Sequence, residues 1–575
     1  MRKKITRLML IAVVSCFLCG FQTFRGETGI SNANLTTAKT PINTQKGGSI
    51  WTRSFVEKGK ILYNSDPVLW GDYIFIANKN TLYQLNQQGQ VIKECTLTAS
   101  INTTCHPLEE SGRLYIPLSG GAMDCIDLQS MTCVWSQPAL EDGTQSLSTL
   151  FYHDGYLYAG ITRPNGFSNT TGTFYCRDAT TGEIVWSYSN ANNPGGYYWS
   201  GGIVCENTLV FVGDNGELVS HDLISDTIYD TLSFSSTDKN GDTTPKKFRS
   251  GITYDPATAS YYVVSTDGTL YRFSMDGKKF DSSNIRTLSL GNNNSYVNCT
   301  STPTICNNRL YVGCGIDGTG YLCVIDVVNM KIIYRAKGEK GAEIKASPLV
   351  STGYSSAENA NTVYVYVTYN KTPGGIYVLK DTAASQSGTL DILFTPASRP
   401  QYCMSSIIAG TDGTLYYTND SGTLFAIREV EKSSDLTDED DSSENGTNSG
   451  SNSNNTSAST SGTSQNTNTS SSSSAGSQNK TSSAKKNKTV KKPTKVTIKK
   501  RKKTYRITWK KTASSYSTQI RIKHGNGKWK TISAGKKKSY VLKRGKKPIR
   551  IKIRCRKKIN GRWQYSKYTK TYKLL

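Results

Sequence analysis

Few residues in this 575-residue chain have the type and spacing that chemistry needs. The four histidines, His106, His153, His221 and His524, are dispersed and form no metal-ligand spacing and no sequence-local catalytic pair. The fourteen cysteines include one C-x-x-C pair, Cys16 and Cys19, close to the N-terminus. The other twelve are scattered singly, which argues against a zinc site or a dithiol redox motif. Most of them, as at Cys125, Cys176 and Cys323, fall in apolar strand-like runs and read as small packed hydrophobes. Free thiols on an exported chain point to a reducing habitat. Asp238 to Asp242, D-K-N-G-D, opens like a calcium loop. Thr243, however, stands where that loop needs Gly, and Arg249 where it needs a bidentate Glu. Gly525, in G-N-G-K, lacks the length and the Ser/Thr of a phosphate-binding loop and reads as a hairpin. No catalytic, cofactor-binding or metal-binding residue is assigned, and the protein is expected not to be an enzyme.

One cysteine has a different candidate role. Arg2, Lys3, Lys4 and Arg7 precede an apolar run from Leu8 to Leu18, the layout of an export signal, assigned to residues 1–26. The run is short for a membrane span, although its apolar character continues weakly to Phe24 and an uncleaved anchor stays open. Val13-Val14-Ser15-Cys16 has the form of a lipobox, in which Cys16 would be the lipidation site. The missing Leu and the bulky Phe17 and Leu18 favour ordinary cleavage, after Gly20 or Ala33; both outcomes stay open.

The elements that must carry any site are repeats. Eight units share an entry rich in Ser, Pro and Gly, a strand with Leu-Tyr or Val-Tyr, a turn and a second strand. Aligned on Ile74, Tyr115, Tyr158, Val210, Tyr262, Tyr311, Tyr364 and Tyr416, they are spaced by 41 to 53 residues. That is the size of a four-stranded propeller blade. Gly, Asn and Asp supply the hairpin turns that need positive φ. His106 stands at the entry to an innermost strand, where it could line a channel, though a structural histidine is the commoner outcome.

The run D-A-T-T-G-E-I-V-W, Asp178 to Trp186, resembles the closing signature of the pyrroloquinoline-quinone (PQQ) propeller repeat, whose Trp docks between blades. Weaker copies pair Asp127 with Trp135 and Asp326 with Tyr334. Residues 48–428 therefore resemble the quinoprotein-like family, which includes dehydrogenases and the assembly lipoprotein BamB, and the resemblance implies eight blades. The eighth unit ends one strand short at Ile427, and G-S-I-W-T-R-S-F from Gly48 matches E-I-V-W-S-Y-S from Glu183. The strand around Trp51 is expected to complete the last blade and close the ring.

Residues 429–490 are first acidic, then rich in Ser, Asn and Thr, and are expected to be a disordered linker. Residues 491–575 return to strand-like alternation of Lys or Arg with Ile, Tyr or Trp. They resemble a fibronectin type III module, so the fold class is all-β: an eight-bladed β-propeller, a disordered linker and a small antiparallel β-sandwich. From Thr481 to Leu575 there are 35 Lys and Arg and no Asp or Glu. The chain's net charge of +27 thus belongs wholly to its C-terminal part.

These features predict an exported, envelope-associated binding or scaffold protein. A protein or glycan ligand is expected on the propeller and an anionic cell-wall polymer on the basic module; membrane contact comes only through the signal or a lipid anchor. Nucleic acid is disfavoured, since the basic segment shows neither aromatic interleaving nor a known motif. Two alternatives come from the resemblance. A PQQ- and calcium-dependent dehydrogenase would need a quinone stacked on Trp, commonly under a vicinal disulfide, and calcium held by Glu, Asn and Asp; adjacent cysteines are lacking. A BamB-like envelope assembly factor would need neither the long spacer nor the basic tail.

Overall fold

The computed structural model describes residues 34–430 apart from 58–63, 103–104, 166–168, 206, 238–239 and 293. It also describes 491–574 apart from 501–503, 511–515, 525–528, 536–537, 544–548, 560–561, 567 and 570–571. Cys16, the start of the calcium-like loop, most of the linker and the Gly525 turn lie outside these residues.

Eight antiparallel sheets form the ring. Blade 1 consists of Val68–Trp70, Tyr73–Asn78, Thr81–Leu85 and Val91–Thr96, from the innermost strand outward. Blades 2 to 7 start with innermost strands Leu108–Glu110, Phe151–His153, Gly202–Cys205, Thr253–Asp255, Thr304–Cys306 and Leu349–Ser351. Eight buried clusters hold the ring together, each shared by two consecutive blades. Ile74, Ile76 and Leu85 of blade 1, for example, pack on Tyr416, Leu424 and Ala426 of blade 8. This is sheet-on-sheet packing repeated around a circle, which is why the middle strands read as almost continuous apolar runs.

Closure follows the expected route. Blade 8 takes Ile408–Ala409, Leu415–Asn419 and Thr423–Glu429 from the end of the ring, and Gly47–Ser54 as its outermost strand. The pairing runs antiparallel from Gly47 with Glu429 to Ser54 with Thr423. The segment ahead of this clasp is also docked. Leu35–Thr36 pairs in parallel with Val350 and Ser351 of blade 7, and the Asn34 amide donates to Ile407 O at 3.1 Å. Thr40 and Tyr366 hydroxyls lie 2.8 Å apart, and Glu429 accepts from the backbone N–H groups of Ile42 and Asn43.

Seven of the eight outer strands carry a register shift one residue before the position that docks on the next blade. The residue left without a ladder partner is Ile50 in blade 8, Val134 in blade 2 and Val185 in blade 3. Bulges of this kind bend a strand and spoil it as a template for a further strand, which protects the exposed edges of the blades.

The C-terminal unit is a two-sheet sandwich. Thr494–Lys500, Thr504–Lys510 and Ser539–Lys543 form one sheet. Lys530–Gly535, Ser517–His524, Ile549–Ile559 and Arg562–Tyr565 form the other, with Tyr572–Leu574 also paired to Ile549–Ile551. Tyr505, Ile507, Trp509, Ile520, Ile522, Ile551 and Ile553 fill the space between them, and the Trp509 indole donates to Thr518 Oγ1 at 3.0 Å. Among the described residues no helix is long and apolar enough to cross a membrane.

Candidate functional site

The docking device of the ring is visible at Trp51, Trp135 and Trp186. Trp51 Nε1 donates to Gln87 O of blade 1 at 2.7 Å, and Trp135 Nε1 to Ala179 O of blade 3 at 3.2 Å. Each indole lies over a turn glycine at positive φ, Gly89 and Gly182, where a Cβ would collide with the ring. Gly182 closes a turn whose Asp178 carboxylate accepts from Thr180 N and Thr181 N. That accounts for the Asp and the Gly of the repeat as well as its Trp. In blade 4 the corresponding turn residue is Asp226. There Trp186 stacks on His221 at 4.2 Å, and burial lowers the pKa of that imidazole. His221 is therefore a structural residue, and its 3.3 Å approach to Asp226 lacks hydrogen-bond geometry.

The entries to the innermost strands line a recess on the ring axis. Asp66, His106, Trp199, Thr300, Lys345 and Met404 reach it from six different blades. His106 is thus placed where its sequence position suggested, with Nδ1 2.7 Å from Asp66 Oδ2 and both side chains nearly buried. Backbone and hydroxyl bonds stitch the entries together, among them Asp66 N to Cys105 O and Thr302 N to Ser347 Oγ. His153 ends an innermost strand and burial lowers its pKa, whereas His524 ends a strand of the sandwich. Within the ring, His106, His153 and His221 belong to three different blades.

Comparison with known proteins bears on this geometry. Residues 40–280 match the family described as outer membrane protein assembly factor BamB. The ring is a PQQ-like β-propeller. No curated protein matches the chain in sequence. Among solved structures, the quinohemoprotein alcohol dehydrogenase ADHIIG from Pseudomonas putida HK5 is similar, with a TM-score of 0.50 at 11% identity, covering 71% of this chain and 81% of that one. BamB from Moraxella catarrhalis has a TM-score of 0.46 at 11% identity, covering 66% of this chain and 99% of its own. At such identity the likeness is one of fold, and chemistry has to be judged from the residues.

The residues of this PQQ-like propeller do not fit a quinone with its calcium ion. Trp199, held at a φ of 58°, does bring an indole to the axis. Asp66 is the acid that lines the recess, and it and two further acids of the ring are already engaged by cations or amides. Asp66 meets His106, Asp214 is clasped by Arg249 at 2.8 Å, and Glu343 lies 3.5 Å from Lys345 and accepts from Asn298. Among the described residues no three His, Cys, Asp or Glu side chains converge. Arg249, the last position of the calcium-like loop, is the partner of Asp214. Thr243–Pro245 pairs with Ser235–Thr237, so this region is a hairpin. Cys125, Cys176 and Cys323 are free thiols buried in third strands.

The sandwich carries the strongest charge pattern. In Ile549–Ile559, buried Ile549, Ile551, Ile553 and Cys555 alternate with outward Arg550, Lys552, Arg554 and Arg556. Register places Arg521 beside Lys552 and Lys523 beside Arg550, so six cations share one sheet face. The sequence reading missed that aromatic rings are interleaved with them, and this corrects it. Lys552 lies 4.9 Å from the Trp529 ring and 4.7 Å from Tyr568, while Arg554 lies 3.9 Å from Tyr565 and 4.7 Å from Tyr568. These partners are scattered over 40 residues of sequence and come together only through strand pairing. With no acid in this part of the chain, ring quadrupoles hold the two cations in place without neutralising them.

Proposed function

We propose that this is an exported, non-enzymatic envelope-surface scaffold, in which the PQQ-like propeller is a binding platform and the basic sandwich, built like a fibronectin type III module, attaches to an anionic cell-wall polymer. The observation that carries the reading is the six-cation sheet face, which no carboxylate in the module can neutralise. Such a face concentrates a polyanion by counterion release, so affinity must fall steeply with salt. The test is retention of the full chain on purified walls bearing anionic polymer. Replacing Lys523 and Arg550 by Gln should lower the slope of log affinity against log salt by about two. Retention indifferent to salt, or to removal of the anionic polymer, would overturn the reading.

Export through the N-terminal signal belongs to the same proposal, as does lipid attachment at Cys16 as one form of it. Palmitate labelling that disappears in Cys16→Ser distinguishes a lipid anchor from a freely secreted chain. A second reading, a BamB-like assembly role, draws support from the family match over residues 40–280. It requires a protein partner on the propeller, recoverable by cross-linking at an axial residue such as Lys345.

A further inference from the structure

The repeat makes eight similar interblade junctions, and the one at the clasp is built without a hairpin between its third and outer strands. In blades 2, 3, 4 and 6 the third strand runs into a hairpin led by an acid, Asp127, Asp178, Asp222 or Asp326. Each of these binds the N–H groups of its own turn. In blade 8 the outer strand comes from the other end of the ring, so no hairpin joins it to the third strand. The matching position is Arg428: it lies two residues beyond Ala426, the partner of Trp51, as Asp178 lies two beyond Cys176, the partner of Trp186. With no turn to cap, Arg428 reaches sideways to Asp412 at 3.3 Å, and both side chains stay about half exposed.

This exchange lies beside an open recess of about 370 Å³, within the usual size of ligand pockets. Trp51 and Tyr416 form its aromatic wall, their ring centroids 6.0 Å apart. Arg428 and Asp412 line one side, and the exposed Gln87 and Gln88 of the blade 1 turn line the other. Asp412 is itself held by Thr414, whose N and Oγ1 both donate to it. The turn carrying the two glutamines is fixed by Asn86, which accepts from Gln88 N and Gln90 N.

We infer that this recess at the clasp binds a saccharide. A sugar ring has an apolar C–H face, which suits an indole, and a rim of hydroxyls that both donate and accept. Guanidinium donates only, carboxylate accepts only, and the two carboxamides do both, so vicinal hydroxyls can be satisfied in either sense. The walls combine one cation and one anion, which favours a neutral or amino sugar over a polyanion. The inference rests on the proposed surface-binding role and gives the propeller a ligand class that differs from that of the basic sandwich.

The experiment is binding of the full chain to a printed array of neutral and amino-sugar oligosaccharides in about 1 M salt, where screening silences the basic face. Saccharides that bind are then titrated against Gln88→Ala and Arg428→Gln, changes of exposed side chains that leave the Trp51 indole and its bond to the Gln87 backbone carbonyl in place. The expected result is an affinity loss of about tenfold or more in each variant, the size of one charged or paired hydrogen bond, with unchanged melting. Bound sugar should also slow amide exchange in Gly47–Ser54 and Thr423–Glu429. Sugar binding unaffected by either variant overturns the site. Absence of array binding, with salt-sensitive wall retention intact, overturns the inference and leaves the proposed function standing. Loss of wall retention as well would sink both.

Discussion

Gly89 offers a direct way to measure what the clasp contributes. It has a φ of 76°, and a Cβ built on it would lie 2.5 Å from Cε3 and 2.6 Å from Cδ2 of Trp51. Gly89→Ala therefore carries about 1–2 kcal/mol for the left-handed backbone and about 1–3 kcal/mol for overpacking against the indole. Gly71→Ala isolates the first cost, since Gly71 has a φ of 61° and no neighbour within 4 Å of its would-be Cβ. Trp51→Ala, which removes a half-buried ring and its bond to Gln87, should itself destabilise by about 2–3 kcal/mol, below the range for a fully buried Trp. With the indole gone the collision disappears, so in that background Gly89→Ala should cost no more than Gly71→Ala. The coupling between the two sites should then be about 1–3 kcal/mol. Urea unfolding of the full chain by circular dichroism gives the four stabilities. Amide exchange in Gly47–Ser54 and Thr423–Glu429 shows whether the loss is local to the clasp. Equal costs of Gly89→Ala with and without Trp51 would refute the docking argument. Deleting residues 48–55 should abolish cooperative melting of the ring, and an unchanged melting curve would refute closure itself.

Other consequences are open to measurement. Asp381 accepts from Arg309 Nη1 at 3.1 Å, Tyr311 at 2.7 Å and Tyr334 at 2.6 Å, all buried; Asp381→Ala should cost about 3–5 kcal/mol by stranding the arginine, and a loss under 1 kcal/mol in urea unfolding would contradict that. Burial raises the Asp420 carboxyl from 3.8 to about 6, so the folded state holds the proton more tightly; its contribution is full below about pH 4 and is lost as pH rises through 6. Asp420→Asn should therefore stabilise the ring at pH 8 by up to about 3 kcal/mol, less after screening, and not at pH 4; equal effects at both would contradict it. Burial pushes the Tyr271 and Tyr416 phenols up from 10 to about 12, so the ring should lose stability as pH climbs from 10 through 12, and the part of the tyrosinate absorbance that Tyr271→Phe and Tyr416→Phe remove should appear together with unfolding rather than before it. Cys125, at about 11, and Cys299 and Cys403, at about 12, should resist thiol reagents at about pH 8 until the chain is unfolded, whereas exposed Cys133 should react first.

The blade count and the clasp were legible because each depends on a local pattern. A tyrosine-bearing strand recurs at blade spacing, and the run around Trp51 has the form of an outer strand with no third strand ahead of it. The turn glycines were legible for the same reason, since positive φ is a local demand. The bulges at Ile50, Val134 and Val185 were not, because a bulge exists only relative to a partner strand. The docking of residues 34–46 also escaped notice: Leu35 and Thr36 pair with residues more than 300 positions away, and nothing in their own sequence names that strand. The same holds for the recess at the clasp. Arg428 looks like one more surface cation until the missing hairpin puts it where four other blades keep an acid. In the sandwich, cation and ring come together across paired strands, so their interleaving is absent from the linear order.

The antiparallel sense of the clasp also fixes how the ring bears load. Gly47 and Glu429 are paired at the same end of the two strands. Tension between the chain before residue 47 and the chain after residue 430 therefore opens this pair one hydrogen bond at a time, as a zipper does, and never loads all the bonds at once in shear. Ahead of the zipper stands a short series of weaker ties. These are Asn34 to Ile407, Thr40 to Tyr366, Ile42 and Asn43 to Glu429, and finally Val430 N to Lys46 O at 2.8 Å. If the two ends of the protein are held by different parts of an envelope, these ties act as a mechanical fuse: they yield first, and the eight-bladed ring opens only once they are gone.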